Sequence, residues 1–311
     1  MEKEPFIIGK NLTPEEKEKA TAYIEKRQKE YLEPLEGEIE KTPEELKFIE
    51  KINTYLGEEF KEMGLKEKPS ILPEQIHFLS SEAFDKRAEE SNTIAFHDSL
   101  KKVAYFKKPE FTRLQLFKTM LHESLHIASF HKYYVDVEQR EVIRHKVGYF
   151  GGKPFEKEHE HFRGFNEAVI DKTTREILRK HQKELIKKFN ITPEEEREGI
   201  KWYRLNMDIL NLIIRKIAEK KKEDENTVWQ KFKKNQFTGE MMHLRDIEKI
   251  FGKGSLRIIA ALGSGTKNLT EYKTDPKIFR YFETDDKNER DKIAKEVLIE
   301  RERLKYQERQ K

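Results

Sequence analysis

The chain has 311 residues, with 63 Lys or Arg against 59 Asp or Glu, so charged residues make up 39% of it while the formal net charge is only +4. At roughly 150 residues per domain, this length suggests one large or two modest domains. The balanced charge predicts neither a nucleic-acid footprint nor attraction to a membrane, and the absence of cysteine excludes disulfides and thiolate metal sites. We find no signal peptide and no apolar run long enough to span a membrane, so we expect a cytoplasmic protein.

Three helix starts carry the same four-residue pattern. Thr-Pro-Glu-Glu begins at Thr13, Thr42 and Thr192. Thr at the N-cap accepts a hydrogen bond from an otherwise unpaired backbone N–H, Pro is tolerated at the first helical position, and the second Glu reaches back to the cap. The flanking residues differ and the spacings are unequal, so these are independent caps rather than a repeat. They predict helices near 14–31, 43–63 and 193–222.

From about residue 70 to residue 108 the sequence predicts a mixed region. Ile76–Leu79 has the composition of a strand, and Thr93–His97 with Val103–Phe106 predicts a hairpin. After Pro109, apolar residues at helical spacing predict a helix that runs to about His131.

The stretch 133–163 is extended and turn-rich, and Val142–Phe150 followed by Glu156–Arg163 predicts a second, polar hairpin. A helix is expected at 164–189, and shorter helices as far as Leu262. The tail from Asp285 to Lys311 is almost entirely charged and predicts a solvated or partner-binding helix, or disorder. Its thin apolar stripe consists of Ile293, Val297, Leu298 and Leu304.

One pentapeptide in the helix predicted after Pro109 contains residues suited to bind a metal and to act in catalysis. His122-Glu123-Ser124-Leu125-His126 has the form H-E-x-x-H. Residues four apart lie one above the other on a helix, so two imidazoles can hold one zinc ion. Glu123 is rotated away from the pair and is suited to act as a general base on a zinc-bound water.

A chance occurrence of the pattern is the alternative, since the chain has 10 His and abundant Glu. The surrounding helix favours the metal site, because it is apolar on both sides of the motif. Buried His and Glu need partners, and a metal supplies them.

A second motif lies 40 residues beyond His126. Asn166-Glu167-Ala168-Val169-Ile170-Asp171 has the form N-E-A-x-x-D. Together the two motifs resemble those of the gluzincin superfamily, the thermolysin-like zinc metallopeptidases, and they occur in the expected order. The resemblance covers roughly residues 93–185, under a third of the chain.

This resemblance implies a site with one Zn²⁺ per chain. His122, His126 and Glu167 would be the metal ligands, and Glu123 the catalytic base. Asp171 and Asn166 would lie behind the ligands, with Asp171 orienting an imidazole. That role also follows from general metal chemistry, since ligating histidines usually donate their other N–H to a carboxylate.

The resemblance further implies a donor for the oxyanion and an edge strand that pairs with substrate. Tyr203 is the first choice for the donor and His243 the second, although Tyr203 equally fits core packing. Val103–Phe106 is placed for the edge strand, although it equally fits an ordinary hairpin. His159 and His161 alternate as on one strand face, but no further ligands for a second metal are evident.

The predicted fold is α+β and mostly α. A zincin-like catalytic core, with a small antiparallel sheet, an active-site helix and a glutamate helix, is flanked by helical N- and C-terminal regions. The expected segments are an N-terminal helical region, the catalytic core, a C-terminal helical subdomain and a charged tail, at 1–67, 68–190, 191–284 and 285–311.

The sequence therefore predicts a zinc metalloendopeptidase or an aminopeptidase-like hydrolase that acts on a peptide or protein substrate. The first alternative is a catalytically inactive zincin-like scaffold, with a helix-mediated partner bound through the charged tail. The second is a nucleic-acid binder using the Lys-rich segments 216–222 and 231–234 near Trp229 and Phe232. Interleaved acidic residues favour a solvated helix face over nucleic-acid binding.

Overall fold

The computed structural model describes residues 5–9, 12–88, 93–108, 111–136, 141–151, 161–189, 204–262 and 275–309. The protein is α+β and mostly helical, as predicted, and its strands form small mixed sheets. The chain divides into two compact units, residues 1–147 with 173–200 and residues 148–172 with 201–311. The four consecutive segments expected from the sequence stay a prediction.

The first unit contains six strands and four complete helices among its described residues. In chain order they are β1 (Phe6–Ile8), α1 (Pro14–Glu30), α2 (Pro43–Glu62), β2 (Ile76–Leu79), α3 (Ser81–Asp85), β3 (Ala95–Asp98), β4 (Val103–Lys107), α4 (Arg113–Ala128), β5 (His131–Asp136) and β6 (Glu141–Val147).

The Thr-Pro-Glu-Glu pattern begins α1 and α2 as predicted. Thr13 Oγ1 accepts from the backbone N–H of Glu16 at 3.3 Å, and the Glu16 carboxylate accepts from the Thr13 N–H at 2.8 Å. Thr42 and Glu45 repeat this reciprocal pair at the start of α2. The pattern at Thr192 lies outside the described residues.

The sheet beside α4 corrects two expectations. Its strand order is β2-β4-β3, with β2 parallel to β4 and β3 antiparallel to it, so the sheet is mixed rather than antiparallel. The tight turn after Asp98 forces β3 and β4 to run antiparallel, whereas the connection through α3 places β2 parallel to β4. Val103–Phe106 is therefore a central strand, and its prediction as the edge strand was wrong. Among the described strands of this sheet, β3 is an edge.

The second sheet of this unit contains β1, which the sequence did not predict, and β5, which lies where the sequence predicted the end of a helix followed by an extended stretch. Its order is β1-β5-β6, with β1 parallel to β5 and β5 antiparallel to β6. The backbone becomes extended at Ser129, so α4 ends at Ala128 and β5 begins at His131. The sequence had predicted that the helix runs to about His131. β6 pairs with β5. Of the predicted hairpin with Glu156–Arg163, the described residues show one antiparallel bridge, in which Gly151 and His161 exchange backbone hydrogen bonds of 3.2 and 2.7 Å, while residues 156–160 lie outside the described part.

Helix α4 rests on α2 through aromatic contacts. Phe48 of α2 meets Phe117 edge to face with ring centroids 5.3 Å apart, and it meets Phe189 in the same way at 4.6 Å. Phe117 and His122 are five positions apart, about 140° around the helix. The N-terminal helix α2 therefore supports a face of α4 different from the one that carries the histidine pair.

The second unit is almost entirely helical where it is described. Besides the short strand β7 (Phe150–Gly151), it contains α6 (Arg204–Lys221), α7 (Glu225–Thr238), α8 (Leu244–Phe251), α9 (Ser255–Ala260), α10 (Pro276–Glu283) and α11 (Lys287–Arg309). The division between the units falls within one unbroken helix, α5 (Arg163–Phe189).

The core of the second unit uses residues that had suggested other roles. Trp229 and Phe232 are buried in it, so they are not available to stack on nucleic-acid bases. The charged tail forms the helix α11, and Ile293 and Val297 of its apolar stripe are buried in the same core. Among the described residues, no helix has both the length and the apolarity that crossing a membrane requires.

Candidate metal site

The helix that carries the H-E-x-x-H motif is strongly fixed at both ends. Thr112 Oγ1 accepts from the Gln115 N–H at 3.4 Å, and Gln115 Oε1 accepts from the Thr112 N–H at 3.1 Å. At the other end, Ser129 Oγ donates to the Leu125 carbonyl at 2.8 Å. Every residue from Phe117 to Ile127 is buried. The polar residues of the motif are thus held inside the protein by the apolar residues around them.

The two histidines of the motif converge on one point. His122 is 3% exposed and His126 is 2% exposed, and their Nε2 atoms lie 3.2 Å apart. The rings are inclined at 67°, with centroids 4.9 Å apart. This spacing is what i and i+4 imidazoles on one helix face produce.

The convergence fits a tetrahedral metal ion. Two nitrogens at about 2.0–2.1 Å from tetrahedral zinc lie about 3.3–3.4 Å apart, close to the observed Nε2–Nε2 distance. The alternative is a hydrogen bond between a protonated and an unprotonated Nε2, since the distance also allows one. A metal uses both lone pairs at once, whereas the hydrogen bond uses only one.

Glu167 is the third ligand of the predicted set, and this role stays a prediction. Glu167 is in the first turns of α5, six residues before Thr173 on the same unbroken helix. Two imidazoles and a carboxylate form a ligand set typical of catalytic zinc, which keeps a fourth position for water or substrate.

Glu123 lies beside His97, which the sequence predicts only as part of a hairpin strand. Its Oε2 is 3.7 Å from Nδ1 of His97 on β3, and the ring of His97 is stacked on that of His126. His97, Glu123 and His126 form a second group whose ligand atoms lie within 4.8 Å of one another. The only sequence signal for His97 was its place in a strand shortly before the motif helix.

The structure gives Asn166 a set of hydrogen bonds that is local to the second unit. Its Oδ1 accepts from the backbone N–H of Tyr149 at 3.1 Å and of Phe150 at 3.4 Å, and from Gln236 Nε2 at 2.9 Å. Gly148 precedes this turn with φ +54°, and a Cβ there would lie 2.0 Å from Gln236 Nε2. These bonds fix the turn from Gly148 to Phe150. The predicted role behind the metal ligands stays a prediction, as does that of Asp171, which is fully buried one helical turn beyond Glu167.

The two candidates for the oxyanion donor differ in what the structure describes. Tyr203 lies outside the described residues. Both ring nitrogens of His243 have contacts, since its Nε2 lies 2.6 Å from Tyr149 Oη and its Nδ1 contacts Asn235 Nδ2. Tyr149 Oη donates to the Phe232 carbonyl at 2.9 Å, and burial raises the pKa of Tyr149 well above its ordinary value. His243 therefore belongs to a buried polar network of the second unit.

No protein-family model matches the chain, and neither a curated protein nor a solved structure matches it at a significant level.

Proposed function

We propose that this chain is a zinc-dependent metallopeptidase, with α4 as the active-site helix and α5 as the glutamate helix of a zincin-like core. The observation that chiefly supports the proposal is the 3.2 Å separation of the buried Nε2 atoms of His122 and His126. A buried carboxylate, Glu123, stands between them in the sequence. Glu167 of α5 is the third ligand that the motif resemblance implies, and two imidazoles with a carboxylate are a donor set that would hold the ion.

In the proposed hydrolysis of a peptide bond, the zinc ion and Glu123 have different roles. When bound, zinc supplies a Lewis acid that polarises a peptide carbonyl and lowers the pKa of water to about 7. Glu123 takes a proton from the water whose oxygen attacks the carbonyl carbon. It returns that proton to the amine nitrogen as the C–N bond breaks. Because Glu123 is the residue after His122, it lies about 100° around the helix from that ligand and is directed elsewhere.

The test combines metal content with hydrolysis of an unfolded protein substrate. We expect about one zinc per purified chain and cleavage that a chelator abolishes and added zinc restores. Glu123→Gln should retain zinc and lose about 10²–10⁴-fold in rate, the usual contribution of a general base. The control is Glu82→Gln on α3, which removes an exposed carboxylate from the same unit and should cleave at the wild-type rate.

Two results would count against this proposal. A Glu123→Gln protein that contains zinc and cleaves as fast as wild type would refute the assigned mechanism. Stoichiometric zinc without cleavage of any unfolded substrate would instead support the inactive zincin-like scaffold.

A further inference from the structure

His97 contacts two functional residues of the candidate site from outside both motifs. Its ring is stacked on the ring of His126, with centroids 4.3 Å apart and planes inclined by only 5°. Its Nδ1 lies 3.7 Å from Oε2 of Glu123, within ion-pair range but beyond a direct hydrogen bond. We propose that His97 is a positioning residue of the metal site. It holds the ring of His126 in the plane that directs Nε2 at the ion, and it restrains the Glu123 carboxylate. This inference rests on the proposed function.

The edge strand β3 presents His97 to α4 because neighbouring residues of a strand face opposite ways. Phe96 faces away from α4 and packs on Phe84 with ring centroids 5.4 Å apart, and on Tyr105 at 4.9 Å. These contacts belong to a buried apolar cluster on the far side of the strand. The packing of the partly buried Phe96 against this cluster therefore decides the direction in which His97 points.

The turn that follows fixes the position of His97 along the strand. Asp98 Oδ1 accepts from the backbone N–H groups of Leu100 at 3.0 Å and Lys101 at 3.1 Å. In the ladder, His97 is paired with Ala104 and Asp98 with Val103. His97 is thus one residue from a capped turn, where slippage of the register is most restricted.

The stacked geometry argues against His97 as a ligand of the same ion. An imidazole binds zinc through a lone pair that lies in the plane of its ring, at about 2.0–2.1 Å. Two rings stacked almost parallel direct these lone pairs along parallel planes, so they cannot both point at one nearby ion. His122, inclined at 67° to His126, has the converging geometry that His97 lacks.

The stacked ring of His97 instead fixes the orientation of the His126 ring, and an imidazole ligand needs a fixed orientation to bind its metal. Rotation about the Cβ–Cγ bond moves Nε2 away from the ion, and a flat partner on one face of the ring restricts that rotation. Residues that orient metal ligands typically change metal affinity by 10–100-fold when they are removed. A stack without a direct hydrogen bond belongs at the lower end of that range.

Two variants separate the two parts of the role. His97→Ala removes both the stack and the nitrogen, and should weaken zinc binding about tenfold in competition with a chromophoric chelator. His97→Phe keeps a flat ring but removes the nitrogen. It should bind zinc within about threefold of wild type and yet lower kcat about tenfold or more, with KM nearly unchanged. The d–d absorption of bound Co²⁺ should shift in His97→Ala and stay near the wild-type spectrum in His97→Phe.

The zinc measurement needs no enzymatic activity, so failure of this inference and failure of the proposed function are distinguishable. If wild type binds no zinc, the proposed function fails and this inference with it. If wild type binds zinc and the folded His97→Ala protein binds it equally tightly, only the positioning role of His97 is overturned.

Equal loss of zinc affinity in His97→Ala and His97→Phe would also overturn the positioning role, because His97 would then be a ligand. An unchanged kcat in His97→Phe would overturn the restraint on Glu123. If His97→Ala does not fold, the affinity and spectrum of His97→Phe still decide the outcome.

Discussion

Zinc should raise the thermal stability of this protein through the pair of imidazoles on α4. His122 and His126 are buried with their Nε2 atoms 3.2 Å apart, an arrangement that the unfolded chain does not hold. An ion that binds only the folded chain stabilises it by about 2.7 kcal/mol when its free concentration is 100 times Kd. In a cooperative unit of about 150–250 residues, each kcal/mol raises Tm by about 2–4 °C. We therefore expect zinc to raise Tm by about 5–11 °C.

The measurement is a thermal melt at pH 7.5 with buffered free zinc, compared with a melt in chelator. His126→Ala should lose most of the zinc-dependent shift, because it removes one of the two converging nitrogens. The control is His181→Ala, which removes a ring stacked on Tyr55 at 3.7 Å in the same unit. It should lower Tm by the same amount with and without zinc. If zinc shifts His126→Ala as far as wild type, the ion binds elsewhere and the reasoning is refuted.

Two further predictions test local features of the two units. Burial and the neighbouring ammonium of Lys132 lower the pKa of Lys146 from 10.5 to about 8. The unfolded chain therefore binds more protons between about pH 8 and 10.5, so stability rises with pH in that window. Lys146→Met should raise the free energy of unfolding by about 1 kcal/mol at pH 7, allowing for solvent screening. In urea titrations this gain should disappear by pH 10.5, and a gain that stays constant with pH would contradict the assignment. Asn166→Ala removes the acceptor of the Tyr149 and Phe150 N–H groups and should lower the free energy of unfolding by about 1–3 kcal/mol. Its zinc affinity should change far less than the 10–100-fold typical of residues that orient a ligand, and a loss of that size would restore the role predicted for it behind the metal.

The features that could be predicted from the sequence are those that short-range chemistry decides. The caps at Thr13 and Thr42 involve residues three apart, so the first residues of α1 and α2 followed from a four-residue pattern. The His122–His126 pair is equally local, because the pitch of one helix sets its geometry. The strand Ile76–Leu79 was also predicted with the bounds that the structure gives.

The features that were missed depend on pairing between distant segments. Strand β1 pairs with β5, which lies more than 120 positions further along the chain. The helix before β5 was predicted three residues too long, so the start of β5 was missed although its later residues fall in a stretch predicted to be extended. Nothing in the composition of Val103–Phe106 distinguishes a central strand from an edge strand. That depends on whether Ile76–Leu79 joins it on the other side, which is a tertiary choice.

The position of His97 shows how narrowly such a choice controls the candidate site. A slip of one residue in the pairing of β3 with β4 would reverse the faces of the strand, directing Phe96 at α4 and His97 at the apolar cluster around Phe84. Either direction would leave the H-E-x-x-H motif intact. The register is set on one side by the packing of the partly buried Phe96 and on the other by the turn that Asp98 caps. The motif predicts the pair of imidazoles, but the hairpin packed beside it determines which side chain lies against their rings and against Glu123.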